Sequence, residues 1–202
     1  MADKQKITEE IMDIIIIGCG KVGTTLAEQL VREDYNVVMI DTSAERMQRV
    51  SDDIDAIKLV GNGASISMAG VQTADMLIAV TGSDEMNLLC CLIARKVGHC
   101  HTIARVRNPI YSNELTFIKQ QLGISMIINP EYAAATEISR ILRFPSAIKI
   151  DPFAKGKVEL LKFKVKPEFK LDGLSVMDID SQFRCDVLIG GVERGDEVAI
   201  PD

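Results

Sequence analysis

The chain has 202 residues, 47% hydrophobic and 26% charged, so it carries enough apolar material to bury a core and intrinsic disorder is excluded. Its 23 basic and 29 acidic residues give a net charge of −6, which argues against a nucleic-acid partner. No apolar run is as long as a membrane span, and the polar first ten residues do not resemble a signal peptide. We therefore expect a cytoplasmic protein in which residues 1–11 precede the fold as a leader.

Six short runs rich in Ile and Val alternate with amphipathic stretches over residues 12–145. The runs show little polar alternation, which is typical of parallel strands buried on both faces; they are residues 13–17, 36–40, 56–60, 75–80, 102–106 and 125–128. Apolar residues at helical spacing lie between them, within 22–31, 88–97 and 115–122, and Gly123 is a fitting helix stop. This alternation predicts an α/β fold with a Rossmann-like, doubly wound parallel sheet.

The composition changes near residue 145. All six prolines follow residue 108, and Phe144-Pro145 ends a linking helix predicted over 131–144. Beyond it, residues 157–165 alternate in polarity, and Gly195-Asp196 predicts a turn before a last short strand. We therefore expect 146–202 to form a partial α+β subdomain that begins a larger unit.

A glycine-rich loop follows the first predicted strand and opens the first predicted helix. It reads Gly18-Cys19-Gly20-Lys21-Val22-Gly23. In this context the first glycine permits a tight turn, the second allows backbone to approach a pyrophosphate, and the third allows the helix to pack on the strand. The loop therefore predicts a phosphate site at a helix N-terminus.

Asp41 ends the second predicted strand, where a carboxylate can accept the hydroxyls of an adenosine ribose. Its charge would repel a 2′-phosphate, which favours NAD or ATP over NADP, although Arg46 is close enough in sequence to soften the repulsion. The alternative is that Asp41 only caps a helix beginning near Ser43.

Further polar residues follow the later strands and are expected at the same edge of the sheet. The fourth strand is followed by Thr81, Gly82, Ser83 and Asp84. These residues are expected either to line the ligand crevice or to cap the next helix. Arg105 and Arg107 are expected on one face at the end of the fifth strand. Their guanidinium groups are expected either to bind phosphates or to form ion pairs with Asp84 or Glu114. Lys21 reaches either a terminal phosphate or solvent.

No reaction centre accompanies this predicted site. The sequence has no Tyr-x-x-x-Lys signature and no Gly-x-Ser-x-Gly elbow. His99 and His101 precede a buried strand and are expected at the end away from the crevice. Five cysteines without C-x-x-C spacing predict reduced, packed thiols rather than disulfides or a metal cluster; they are Cys19, Cys90, Cys91, Cys100 and Cys185. A nucleotide sensor is therefore favoured over an NAD-dependent oxidoreductase fragment or a degenerate interaction module with an empty crevice.

The motifs also resemble a known family when they are taken in order. They are the glycine loop and residues 38–41, 61–63, 79–87, 104–109 and 129–131. Together they resemble the ligand-gating domain, called RCK or KTN, of potassium channels and transporters, most closely that of the TrkA subunits of bacterial Trk uptake systems. The likeness covers 12–145 strongly, and 146–202 is similar to the start of the family's C-terminal regulatory subdomain.

The resemblance implies a cytosolic, non-enzymatic subunit that binds NAD(H), ATP or ADP and controls a membrane potassium transporter of the TrkH or TrkG type. It implies a peripheral location on the inner face of the membrane and a homo-oligomer, either a dimer or a higher ring. It also implies nucleotide contacts at Gly18, Cys19, Gly20, Lys21, Val22, Gly23, Asp41, Thr42, Asn62, Thr81, Gly82, Ser83, Asp84, Arg105 and Glu131.

Two departures from the family pattern stand out, and one helix face invites a partner. Asn62 stands where many members have an aspartate, and residues 65–71 are shorter than the family's third crossover helix. In the linking helix, Ala134, Ile138, Ile141 and Leu142 form an apolar face, predicted to contact another subunit or to pack on its own domain.

Overall fold

A computed structural model describes residues 11–62, 70–111, 114–183 and 188–200 of the chain. Cys185 and most of the short segment 65–71 lie outside these ranges. The chain divides into two compact units, one ending at Thr136 and the other beginning at Glu137.

The first unit contains a six-stranded sheet in which every neighbouring pair is parallel. The spatial order is β3-β2-β1-β4-β5-β6, which is the doubly wound Rossmann order and confirms the predicted fold class. The strands are β1 (Asp13–Ile17), β2 (Asn36–Asp41), β3 (Ile57–Val60), β4 (Met76–Ala79), β5 (His101–Arg105) and β6 (Met126–Ile128).

Helices accompany these strands. They are α1 (Lys21–Arg32), α2 (Ala44–Arg49), α3 (Asp84–Val97), α4 (Leu115–Leu122) and α5 (Pro130–Arg143). Of these, α1, α3 and α4 lie where apolar stripes predicted helices. Gly123 ends α4 in the left-handed conformation with φ 65°, which confirms it as a helix stop because a side chain is strained there.

Alternate residues of the central strands supply two hydrophobic cores, one on each face of the sheet. Ile14 and Ile16 of β1 belong to one core, which includes Ala27 of α1, and Ile15 and Ile17 belong to the other, which includes Cys91 of α3. Successive strand residues point to opposite faces. The unbroken apolar run of β1 therefore serves both helical layers at once.

The second unit consists of short elements. An antiparallel pair joins β7 (Ala147–Phe153) to β8 (Val158–Phe163), α6 spans Val176–Phe183, and β9 (Val192–Arg194) pairs antiparallel with β10 (Glu197–Ala199). The two units divide inside α5, a helix with no buried residue. The division between the units therefore lies before the composition change near residue 145.

Within the described ranges, no helix is both long and apolar enough to cross a membrane.

Candidate functional site

The glycine loop joins β1 to α1 and is held by close backbone packing. Gly18 has φ +104°, and a Cβ atom there would lie 2.8 Å from the amide nitrogen of Thr81. A Cβ atom on Gly23 would lie 1.8 Å from the carbonyl oxygen of Gly18. Both positions therefore require glycine, the first for its dihedral angle and the second because α1 packs directly on the loop.

Gly20 differs because its α-carbon faces open space. No atom lies within 4 Å of a Cβ atom built there, and its φ of −76° is one that any residue adopts. The fold itself therefore does not require glycine at position 20. A backbone left bare toward open space is what a closely approaching phosphate needs.

The cap residue of α1 is Gly20, so the N-terminus of this helix has no side-chain cap. The first turn of α1 also contains no acidic residue. The first N–H groups of a helix have no intrahelical partners and carry the positive end of its dipole. By contrast, Ser83 caps α3, whose first turn holds Asp84 and Glu85. Of these two helix ends, α1 therefore favours an anion and α3 disfavours one.

Asp41 fastens the loop to the end of β2. Its Oδ2 accepts the Cys19 N–H at 2.8 Å, its Oδ1 accepts the Ser43 N–H at 2.8 Å, and Arg46 Nη2 lies 3.2 Å from Oδ1. Ser43, rather than Asp41, caps α2 by accepting the Arg46 N–H. The carboxylate therefore lies beside the loop, with a cation partner of its own.

Cys19 is a buried member of the loop. Burial raises the pKa of its thiol to about 12, with the nearby Asp41 charge adding to the rise and Arg46 opposing it. The thiol therefore stays protonated at neutral pH and offers no nucleophile. Its backbone N–H, donated to Asp41, is one of the contacts that hold the loop.

Asn87 of α3 ties the ends of β4 and β5 together. Its Oδ1 accepts from the Thr81 backbone N–H at 2.8 Å and from the Thr81 hydroxyl at 2.7 Å, and its Nδ2 donates to the Arg105 carbonyl at 2.9 Å. The residue is fully buried. Thr81 is thus part of an internal network at the crevice edge.

Ser83 and Asp84 serve the local fold, and Gly82 stays open. Ser83 accepts the Met86 N–H as the cap of α3. The buried Asp84 carboxylate accepts the backbone N–H groups of Arg107 and Asn108 at 2.9 and 2.8 Å. The Arg107 side chain lies 3.5 Å from Asp84, the pairing that the sequence left open. No atom lies within 4 Å of a Cβ built on Gly82.

Arg105 pairs with Glu131 in the first turn of α5. Only 13% of the Arg105 side chain is exposed, and its Nε has no hydrogen-bond partner. Burial alone would raise the pKa of Glu131, but the Arg105 hydrogen bond, its own backbone and the nearby arginine charges leave that pKa below its usual value. The ion pair therefore persists at neutral pH.

The remaining predicted site residues lie around the loop and the neighbouring strand ends. Lys21 begins α1 and is exposed, and Val22 beside it is half-buried. Thr42 follows β2 and Asn62 follows β3, both exposed. The structure thus places them at the ends of β1, β2 and β3 without assigning them a ligand contact.

Two contributors to this region were not predicted as site residues. Asn87 occupies a core position of α3, and a polar residue among apolar ones at helical spacing was the available signal. The Arg46 contact with Asp41 was foreseen only as proximity in sequence.

Among the described cysteines and histidines, Cys19 is the one that belongs to the glycine loop. Cys90, Cys91 and Cys100 are free and buried, and His101 starts β5 at the edge opposite its carboxyl end. Among the described residues, no group of three or more His, Cys, Asp or Glu side chains is placed to hold a metal ion.

Comparison with known proteins gives a family match. The TrkA-N domain model matches residues 14–130. "Trk system potassium uptake protein trkA homolog 1" of Methanosarcina mazei is 37% identical over 199 residues, covering 94% of this chain. The chain spans about half that relative's length, since the match covers 48% of it.

Two solved structures share the fold. The TrkA-N domain of the inner membrane protein ybaL from Escherichia coli matches with a TM-score of 0.56 at 24% identity, covering 66% of this chain and 98% of that one. The structure of GsuK bound to ADP matches with a TM-score of 0.56 at 22% identity, covering 68% of this chain and 35% of that one.

Proposed function

The chain belongs to the TrkA-N domain family, and from that premise we propose that it is a regulatory subunit that binds an adenine nucleotide and controls a membrane potassium transporter. The relative from Methanosarcina mazei is named a potassium uptake protein, which supports this assignment. The nucleotide is NAD(H), ATP or ADP. The transporter partner is of the TrkH or TrkG type, and the chain acts in the cytoplasm at the inner face of the membrane.

The observation that carries the proposal is the open backbone at Gly20 beneath the uncapped N-terminus of α1. A di- or triphosphate meets unpaired N–H groups and the positive helix end there. Asp41, at the end of the adjacent strand, accepts from the adenosine ribose. The residues present therefore fit a nucleotide of this class.

We assign ligand contacts by position around this loop. The backbone of the loop and Lys21 bind the phosphates. Residues at the ends of β2 and β3 contact the adenosine, and residues at the end of β4 contact the remainder of the ligand. The proposed contact residues are Gly18, Cys19, Gly20, Lys21, Val22, Gly23, Asp41, Thr42, Asn62, Thr81, Gly82, Ser83, Asp84, Arg105 and Glu131.

Arg105 and Glu131 offer a route for the signal. Arg105 lies at the end of β5 and Glu131 in the first turn of α5, the helix that runs across the division between the two units. A ligand phosphate competes with Glu131 for the same guanidinium. A ligand changes an equilibrium only by binding its two states differently, and this competition supplies such a difference.

We infer that the chain catalyses no reaction and works as a homo-oligomer. The relative from Methanosarcina mazei is named for potassium uptake rather than for a chemical reaction, which supports the first part. Ile138, Ile141 and Leu142 on one face of α5 are each more than half exposed, which supports a second copy of the chain as their partner. Incubation with NADH and a metabolite panel should leave the absorbance at 340 nm constant, and its sustained loss would overturn the non-enzymatic assignment.

Calorimetric titration with NADH, ATP and ADP tests nucleotide binding. We expect micromolar or tighter binding of at least one ligand, and loss of that binding in Gly20→Ala with an unchanged urea midpoint, because alanine fits the fold there and fills the open face. Gly190→Ala is the matched control, since a Cβ atom there makes only ordinary contact with Leu160. Absence of binding by all three nucleotides, or wild-type affinity in Gly20→Ala, would refute the proposal.

A further inference from the structure

Arg46 sets the charge at the ribose end of the proposed site. Its guanidinium lies 3.2 Å from Asp41 Oδ1, and its side chain is 51% exposed whereas that of Asp41 is 4% exposed. The carboxylate is therefore the inner group and the guanidinium the outer one. A ligand that approaches the end of β2 meets a cation before it meets the anion.

The acceptor positions of Asp41 are mostly in use. A carboxylate offers about four lone-pair positions on its two oxygens. Oδ1 faces the Ser43 N–H and Arg46, and Oδ2 accepts the Cys19 N–H. An unmodified ribose offers two hydroxyl groups to this carboxylate. To accept both of them, Asp41 has to release Arg46.

A ribose that carries a 2′-phosphate makes the opposite demand. It needs donors and positive charge, and guanidinium presents planar N–H groups that match a phosphate. Arg46 is ion-paired to Asp41, which neutralises the carboxylate that would otherwise repel the phosphate. About half of the Arg46 side chain is exposed, so a ligand at the end of β2 can reach it.

We propose that Arg46 reads the 2′ position of the adenosine ribose, so that the site accepts the 2′-phosphorylated dinucleotide NADP(H) as well as NAD(H). This inference rests on the proposed nucleotide-binding function. It makes Arg46 a specificity-determining residue, and it gives more weight to Arg46 than the sequence-based expectation that NAD is favoured over NADP.

The chain offers a matched control for Arg46. Arg49 lies one turn further along α2 and pairs with Glu45 on the exposed surface. Arg46→Gln and Arg49→Gln therefore remove the same charge from the same helix, but only the first changes the group beside Asp41. The Arg49–Glu45 pair is exposed and weak, and the buried Asp41 keeps the Cys19 and Ser43 N–H donors when Arg46 is replaced, so both variants are expected to fold.

Titration of NADH, NADPH, adenosine 2′,5′-bisphosphate and adenosine 3′,5′-bisphosphate into the three proteins tests the inference. In the unmodified chain we expect the Kd of NADPH to lie within about tenfold of that of NADH, and the 2′,5′-bisphosphate to bind more tightly than its 3′,5′ isomer. Arg46→Gln should weaken the binding of NADPH by roughly tenfold, because one hydrogen bond to a charged group is lost. The same variant should not weaken the binding of NADH. Arg49→Gln should change neither ligand.

The outcomes separate the two proposals. Binding of NADH with NADPH at least about a hundredfold weaker, or equal weakening of both dinucleotides by Arg46→Gln, would overturn the role of Arg46 and leave the nucleotide-binding function in place. Failure of every dinucleotide, of ATP and of ADP to bind would overturn both. Selective loss of NADPH in Arg46→Gln alone would establish the inference.

Discussion

Asn87 is a fully buried amide whose hydrogen bonds join α3 to the ends of two strands. Replacing it by alanine leaves the partly buried Thr81 N–H and Arg105 carbonyl without these partners. Each such loss costs about 1–3 kcal/mol, so we expect Asn87→Ala to lower the free energy of unfolding by about 3 kcal/mol. Urea denaturation measures this change.

The control for Asn87 is Asn36→Ala, which removes an exposed side-chain hydrogen bond to Asp13. It should change the free energy of unfolding by less than about 0.5 kcal/mol. Similar losses in the two variants would show that the buried amide is not a special fastening of the strand ends.

Cys91 predicts a pH dependence of stability. Burial raises the pKa of its thiol to about 12, with smaller contributions from Cys90 and Cys100. Above the pKa of an unfolded thiol, the unfolded chain loses this proton while the folded chain keeps it, so stability falls as pH rises from about 9 to about 12. The slope is at most about 1.4 kcal/mol per pH unit for one thiol.

Urea unfolding of the wild type and Cys91→Ala at pH 7, 9 and 10.5 isolates this contribution. The variant is expected to be less stable at pH 7 because it lacks buried sulfur, yet its stability should decline less between pH 9 and 10.5. Parallel declines in the two proteins would contradict the assignment to Cys91, since other groups also titrate in that range.

At the level of the secondary-structure elements, the packing of α1 against the glycine loop depends on Gly23. A Cβ atom there would lie 1.8 Å from the Gly18 carbonyl oxygen, and both groups belong to rigid backbone. Gly23→Ala must therefore separate the helix from the loop, and we expect a loss of about 3 kcal/mol in unfolding free energy. Differential scanning calorimetry or urea denaturation measures it.

Thr25→Ala supplies the comparison, because Thr25 is exposed on the same helix. Alanine is the better helix former, so this variant should gain a few tenths of a kcal/mol. If Gly23→Ala behaves like Thr25→Ala, the close approach of helix and loop is not present in solution.

Helices and strands could be predicted from the sequence because their apolar patterns involve residues that are close together in the chain. Val80 and Val106 were predicted as strand residues, yet β4 ends at Ala79 and β5 at Arg105. Both valines are nevertheless buried, so the apolar pattern reports burial beyond the last paired strand residue.

Some features of the candidate site could be recognised from local sequence, and others could not. The glycine loop and Asp41 were found from sequence because their signals are short and lie directly at strand ends. The Arg105–Glu131 pair joins residues 26 apart, and the Asn87 bond to Arg105 joins residues 18 apart. Such contacts depend on which strand ends lie side by side, so they become visible only when the sheet order is known.

On the scale of the whole molecule, α5 combines two features that bear on regulation. It begins at the Arg105–Glu131 pair, and it presents an exposed apolar face that includes Ile138 and Leu142. Burying one such side chain contributes about 1.5–3 kcal/mol. A second copy of the chain docked on this face would therefore be sensitive to single substitutions and, through Glu131, to bound nucleotide.

We expect Leu142→Asp to weaken self-association at least tenfold, because it places a charge in an apolar contact. Thr136→Asp is the control, since Thr136 is exposed on the opposite side of the same helix. Light scattering after size exclusion, over a range of concentrations and with and without nucleotide, measures the assembled mass. A mass that stays monomeric in the wild type, or that falls equally in both variants, would exclude this face as the subunit contact. A mass that changes with nucleotide in the wild type but not in Leu142→Asp would connect the ligand to the assembly.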